Sequence, residues 1–443
     1  MADMTHPIPV PAPPADAGSP SHRGDGPGES VAARLAARAR RRASWLVIVL
    51  AVVLILLAVN AAGQHATLDV GSGVGHGPDI SAPVWIFCGA GVIISLIALA
   101  IIRTSRSAAP GRLRVTASAI VPLFAFVIGL LAWAARSGQA NVGGVLAVSV
   151  GGAIPIMLGS TAGVLSEQSG VFNIAIEGEF LAGAFAGALA GSAAHSTMLG
   201  LVCGVAAGAA VGLLLSLLAI RYRVDQVVAG IILISLVTGL TGYLTEQVLT
   251  PDAATLNSPA TFHPVAVPLL DRLPIVGQSL FDQSPLFYLA ILVVAAVEFL
   301  LRRTRAGLRI RAVGENPAAA ESSGIKVRRL RYLSVSAAGA IAGAGGAYFT
   351  VGSTGQFVAG MSSGLGYVAL AAVILGSWRP TQAAAAALLF GFASSIATTF
   401  GLLKVNISPS LLLMAPYVVT IVVVAGVTVS GRAPAAAGGH LDD

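Results

Sequence analysis

Apolar segments recur from residue 45 to the C-terminus, separated by short polar stretches. They are 45–62, 82–102, 115–135, 143–165, 171–193, 198–220, 226–248, 285–301, 333–351, 364–378, 381–400 and 410–429. Crossing a bilayer takes about 20 apolar residues at about 1.5 Å rise each. The pattern therefore predicts an all-α polytopic membrane protein embedded in a lipid bilayer. Segments 285–301 and 364–378 are short and are expected to be tilted, broken or re-entrant. Composition agrees: 56% of the 443 residues are hydrophobic and only 10% are charged. A soluble domain carries about 25% charged residues, and so few charges cannot cover a compact soluble fold.

Charge distribution orients the chain. With the N-terminus inside and twelve alternating spans, 23 of the 26 Lys and Arg fall inside. Only Arg136, Arg272 and Lys404 fall outside. That asymmetry is what the positive-inside rule requires. It favours an even number of spans, with both termini cytoplasmic. The formal charge of +7 is thus a matter of topology, and no nucleic-acid partner is expected.

Residues 1–44 are rich in Pro, Gly, Ala and Arg and end in the cluster Arg34, Arg38, Arg40, Arg41, Arg42. Too little hydrophobicity for a core predicts a disordered basic tail. Cys88 and Cys203 sit far apart in apolar runs, with neither disulfide nor metal-ligand spacing. There is no G-x-x-x-x-G-K-[ST] phosphate loop and no H-E-x-x-H. No catalytic residue, metal site or cofactor is expected in this chain, so any ATP chemistry belongs to another. The histidines (His6, His22, His65, His76, His195, His263, His440) fall in tails or loops. An ion-coupled carrier usually relies on buried ionisable relays, and this chain is poorly supplied with them.

Two polar stretches stand out. Residues 166–180 pack Glu167, Gln168, Asn173, Glu177 and Glu179 between apolar runs. Polar groups at membrane depth are costly and usually face a cavity or another protein segment. Gly170 and Gly178 would permit a broken backbone there. Glu167, Phe172, Asn173, Glu177 and Glu179 are therefore candidates for a translocation path or its gate; a plain interfacial loop leading into a helix is the simpler alternative. The second stretch is the basic inside loop 302–332. Asn316 suits an N-cap, Pro317 the first helical position, Ala318 to Ala320 a helix, and Gly324 its stop. A helix of about two turns is marginal alone, so it needs a surface, either its own bundle or a soluble partner. Glycines also repeat every four residues: Gly183, Gly187, Gly191; Gly200, Gly204, Gly208, Gly212; Gly159, Gly163; Gly339, Gly343. Such stripes let helix backbones approach closely in lipid.

The run Gly163-Val-Leu-Ser-Glu-Gln-Ser-Gly-Val-Phe-Asn-Ile-Ala-Ile-Glu-Gly178 resembles the Gly-Glu-Arg-Ser-Gly-Val-Xaa-Asn-Ile-Gly-Xaa-Glu-Gly signature of ABC-transporter permeases for nucleosides and simple sugars, a branched-chain amino acid permease-like family. Gln168 stands for its usual Arg and Ala175 for a Gly. The run Arg311-Ala-Val-Gly-Glu-Asn-Pro-Ala-Ala-Ala-Glu321, followed by Gly324-Ile325, is similar to that family's cytoplasmic coupling segment. The resemblance covers about residues 115–430. It implies a type II importer-like permease with about ten core transmembrane helices, here preceded by an extra N-terminal hairpin. The implied divisions are tail 1–44, hairpin and loop 45–114, permease core 115–430 with coupling loop 302–332, and tail 431–443. It further implies Gly314, Glu315, Asn316, Pro317 and Glu321 as ATPase-coupling residues. The implied setting is a bacterial inner membrane, with a second permease chain (same or homologous), two ABC ATPase subunits that bind ATP-Mg, and an extracytoplasmic substrate-binding lipoprotein. Nucleosides are the first expectation for the cargo and simple sugars the second. An ion-coupled secondary transporter is the alternative from a different class.

Overall fold

A computed structural model describes residues 27–69, 79–104, 125–136, 139–268, 276–403 and 433–438, with isolated positions between them. The expected span 410–429 and the start of the N-terminal tail lie outside the described residues.

Helix α1 (Pro27–Asn60) and helix α2 (Val84–Thr104) form an antiparallel hairpin. Helix α1 begins well ahead of the apolar boundary at 45. Ala and Arg are good helix formers, and Pro27 fits the first turn. Strands β1 (His65–Asp69) and β2 (Asp79–Pro83) close the hairpin as an antiparallel ladder, His65 opposite Pro83 and Asp69 opposite Asp79. Helix α3 (Ala125–Ala134) follows, and strand β3 (Gln139–Asn141) then pairs parallel to the free edge of β1. This small sheet straps the hairpin to the start of helix α4 (Val142–Glu167). The Asn141 amide donates to Asp69 Oδ2 at 3.1 Å, and both Trp133 Nε1 and an Arg136 nitrogen donate to Asn60 Oδ1 at 3.2 Å.

The core continues with α5 (Ile176–Ala193), α6 (Thr197–Ser216, extended by a π turn Leu217–Arg221) and α7 (Gln226–Leu244, with a π turn Thr245–Leu249). A loop region holds α8 (Ala253–Leu256), β4 (Val265–Ala266), α9 (Val276–Phe281) and β5 (Asp282–Gln283). Then come α10 (Pro285–Arg303), α11 (Arg305–Glu315), α12 (Pro317–Ser322) and α13 (Val327–Ala347, with a π turn Tyr348–Thr354). Helices α14 (Leu365–Leu375) and α15 (Pro380–Leu402) complete the described core.

Among the described residues, seven helices are long and apolar enough to cross a membrane, and Val47–Asn60, Ala125–Ala134 and Leu365–Leu375 are shorter apolar pieces. The protein is a multi-pass membrane protein. The segment expected at 285–301 is one continuous helix. The segment expected at 364–378 is short indeed, since α14 spans about 16 Å at about 1.5 Å per residue.

The glycine stripes have a definite job. Gly208 of α6 sits so close to α13 that an added Cβ would lie 2.5 Å from Gly343 Cα and 2.7 Å from Gly343 N. Gly204 faces the Gly183 carbonyl of α5 at 2.8 Å on the same measure, and Gly200 faces that of Gly187 at 2.7 Å. Helices α5, α6 and α13 therefore touch backbone to backbone, the close packing expected where lipid offers no hydrophobic drive for association. Around this trio, α4, α14 and α15 join α5 in an apolar cluster that holds Ile156, Phe180, Val368 and Phe390.

Candidate functional site

The polar stretch after α4 is a short break between two helices. Helix α4 ends at Glu167, and the chain turns at Gly170 with φ +85°. A β-carbon is disfavoured in that left-handed region. Residues 171–175 then run inward to the start of α5. Depth follows from the neighbours. Gly212, whose Cβ position lies 3.3 Å from Glu179 Oε1, precedes the helix end at Arg221 by about 13 Å of rise. Glu179 therefore sits beside the interior of α6, well away from that helix's end.

Each polar side chain of the stretch has been given a specific task. Glu177 accepts from Ser362 Oγ at 2.6 Å and from the backbone N–H groups of Gly364 at 2.8 Å and Gly366 at 2.7 Å. Those groups surround the N-terminus of α14, where a helix exposes unpaired N–H groups and partial positive charge. Glu177 thus holds a half-length helix by its start. Glu179 is fully buried and accepts from the Asn173 amide through both oxygens at 3.1 Å. Glu167 accepts from Trp378 Nε1, while Gln168 Nε2 donates to the Trp378 carbonyl at 3.2 Å. Trp378 and Ser377 carry φ of +54° and +51°, a strained pair that joins α14 to α15. Non-glycine residues held there cost about 1–3 kcal/mol each, so Glu167 and Gln168 grip a turn that would otherwise relax. Among the described residues, Glu167 Oε1 and Asn173 Oδ1 have no hydrogen-bond partner. Phe172 is half-buried, with its N–H donated to Gln226 Oε1. Phe180 is a core residue, packed edge-on against Phe349 at 5.8 Å between centroids.

The segment 311–325 has the form its residues specify. Asn316 caps α12 by accepting from Ala319 N–H at 3.0 Å, and Pro317 occupies the first turn. Gly324, at φ +81°, receives the stop: its N–H donates to Glu321 O at 2.8 Å, and Ile325 N–H to Ala320 O at 3.1 Å. Ala320 tucks under with Val313 and Val327 in a small apolar cluster. Glu315, Asn316 and Glu321 are exposed, while Gly314 is buried. Replacing Asn316 by alanine should cost about 1 kcal/mol of helix stability. Faster amide hydrogen exchange at Ala318 to Ala320, with the rest of the chain unchanged, is the expected result.

The structure brings the two stretches together at Gly170. A methyl on Gly314 would collide with the Gln168 carbonyl and lie 3.3 Å from Gly170 N. On the other side Arg331, buried in α13, donates from Nε to the Ser169 carbonyl at 3.4 Å. Residues 433–438 close the cluster, with Ala436 N–H donating to Gly314 O at 2.9 Å. The sequence reading missed Trp378, Arg331 and the Ser362–Gly366 collar. Trp378 was marked only by its place in the Gly376-Ser-Trp-Arg-Pro380 break between apolar runs, and Arg331 was hidden among the other basic residues of its loop. The Glu177 contact spans 185 residues of sequence, which no local pattern reveals.

Removing charge from Glu177 should be costly. In Glu177→Gln an amide group replaces one acceptor and leaves a Gly N–H without a partner, a penalty of about 1–3 kcal/mol. The expected outcome is a lower melting temperature of the purified protein, with Glu177→Asp intermediate.

Residues 145–425 match the family described as branched-chain amino acid transport system / permease component. The chain belongs to that permease family. The guanosine ABC transporter permease protein NupQ of Bacillus subtilis is 37% identical over 297 residues, covering 65% of this permease and 92% of the relative. The nucleoside ABC transporter permease protein NupC of Lactococcus lactis is 34% identical over 280 residues, covering 61% and 88%. A putative glucose ABC transporter permease protein of Haloferax volcanii is 32% identical over 272 residues, covering 60% and 80%. No solved structure matches the permease.

Proposed function

We propose that this chain is the membrane-spanning subunit of an ATP-driven nucleoside importer in a bacterial inner membrane, with both termini cytoplasmic. The observation that carries the substrate class is the relationship to guanosine and nucleoside permeases along nearly their whole length. Simple sugars are the second reading, favoured by the similarity to the glucose relative. The chain would pair with a second permease, the same or homologous. Two ATPase subunits would bind ATP-Mg and hydrolyse it, and a substrate-binding lipoprotein would deliver cargo from outside.

Coupling in this reading runs through Gly170. The corner between α11 and α12, with exposed Glu315, Asn316 and Glu321 and half-buried Pro317, meets the ATPase. The buried Ala320 of α12 packs on Val313 of α11, and α11 is seated on the Gln168–Gly170 turn through Gly314. A shift of α12 on ATP binding would press that turn. Glu167 and Gln168 would carry the displacement to Trp378, and so to α14. Helix α14 is held at its other end by Glu177, so the shift arrives at membrane depth beside Asn173, Phe172 and Glu179. The strained Ser377-Trp378 turn and the unpartnered Asn173 and Glu167 oxygens support a segment with a second arrangement. ATP and loaded binding protein shift the balance only because they favour different arrangements.

The test is uptake of radiolabelled guanosine by cells lacking the chain and by cells with it restored, in the presence of excess unlabelled adenosine or glucose. Restoration that adenosine suppresses and glucose leaves intact supports nucleosides. Suppression by glucose alone would replace nucleosides by sugars.

A further inference from the structure

Helices α1 and α2 line an open pocket of about 340 Å³ that belongs to neither the polar stretch nor the segment 311–325. It is lined by Arg41, Ser44, Trp45, Ile48 and Arg103. The first four recur at intervals of three, four and seven from Arg41, which places them on one face of α1. Arg103 lies in the last turn of α2. Both arginines are exposed, and among the described residues neither has an acidic partner. The hairpin is closed by the β1–β2 strands at its other end, so this cavity lies at the end where the chain's positive charge gathers.

We propose that this cavity is a binding site for the phosphate headgroup of an anionic phospholipid. Two guanidiniums and a hydroxyl converge on one pocket, and guanidinium forks match phosphate oxygens in pairs. A free phosphate ion shares that chemistry. The surroundings favour a lipid. Trp45 is 60% exposed where the Arg-rich part of α1 gives way to its apolar run, and tryptophans at such boundaries anchor helices to the membrane interface. Ile48 continues the cavity wall, and Val49 (54% exposed) and Val52 (49%) present an apolar track along α1. A headgroup held by Arg41 and Arg103 would lay its acyl chains on that track. Basic pockets between helices on the cytoplasmic side are a recurrent setting for anionic headgroups. The hairpin then has a task of its own: it fastens the permease to the charged leaflet, while its strands and Asn60 hold it to α3 and α4.

Native mass spectrometry of the intact, detergent-purified protein tests this, with titration by phosphatidylglycerol, phosphatidylcholine and inorganic phosphate. Wild-type protein should retain phosphatidylglycerol well above phosphatidylcholine, and inorganic phosphate should not displace it. In Arg41→Gln/Arg103→Gln, affinity for phosphatidylglycerol should fall about thirtyfold, at about 1 kcal/mol for each arginine lost. Arg41→Lys/Arg103→Lys should fall between wild type and that variant, because the charge stays while the paired hydrogen bonds are lost. Equal retention of the two lipids, an unchanged affinity in the double glutamine variant, or displacement by equimolar inorganic phosphate would each overturn the assignment. The last would make the cavity a free-anion site.

Discussion

Gly208→Val is expected to leave little assembled permease in the membrane. The position faces Gly343 across a helix contact with no side chain between the backbones, and an added Cβ would sit 2.5 Å from Gly343 Cα. Rotamer changes cannot relieve a clash with backbone, so α6 must move off α13 by about an ångström. Overpacking costs about 1–3 kcal/mol where side chains can yield, and more where they cannot. Separation also loosens Gly204 and Gly200 from α5. Gly239 of α7 supplies the control, because nothing lies within 4 Å of its Cβ position. Gly239→Val should assemble like wild type. Size-exclusion profiles and melting temperatures of tagged variants read both outcomes. Equal behaviour of the two would contradict the packing described for α5, α6 and α13.

Gly314→Val should do something different: preserve the protein and lose the transport. A side chain there meets the Gln168 carbonyl and the Gly170 nitrogen, which lifts the corner between α11 and α12 off the turn. The corner lies outside the glycine-packed trio, so the bundle is expected to form. Uptake should fall at least about tenfold, which corresponds to about 1.4 kcal/mol at the limiting step. ATP hydrolysis by the associated ATPase should continue, raising the ATP used per substrate moved. Replacing the half-buried Pro317 or the exposed Glu321 should also uncouple, through the ATPase face. Unchanged uptake in Gly314→Val would remove Gly314 from the coupling path.

Much of this architecture is legible in the residues. Long apolar runs mark the helices because lipid demands internally satisfied backbones. Asn316, Pro317 and Gly324 announce a short helix because caps are local chemistry. The four-residue glycine stripes announce close packing, though not which helices meet. What local pattern cannot supply is contact across the chain. The apolar run at 364–378 reads as short, and Leu365–Leu375 is its helix, but nothing local tells that its start is fixed by a carboxylate from α5. The grip of Glu167 and Gln168 on Trp378 joins positions some 210 residues apart. The strands around the first hairpin escaped notice because His65–Asp69 is too short and too mixed for alternation to show. The early start of α1 escaped because hydropathy measures insertion, whereas Ala and Arg favour helix with or without a membrane.

The most direct test of ATP-driven import is to purify the tagged chain gently with whatever accompanies it, reconstitute the complex into proteoliposomes, and measure guanosine accumulation. Accumulation that requires ATP and loaded binding protein, persists without any ion gradient, and collapses in Gly314→Val while hydrolysis continues is the predicted result. Accumulation driven by a sodium or proton gradient in vesicles that contain this chain alone would contradict it.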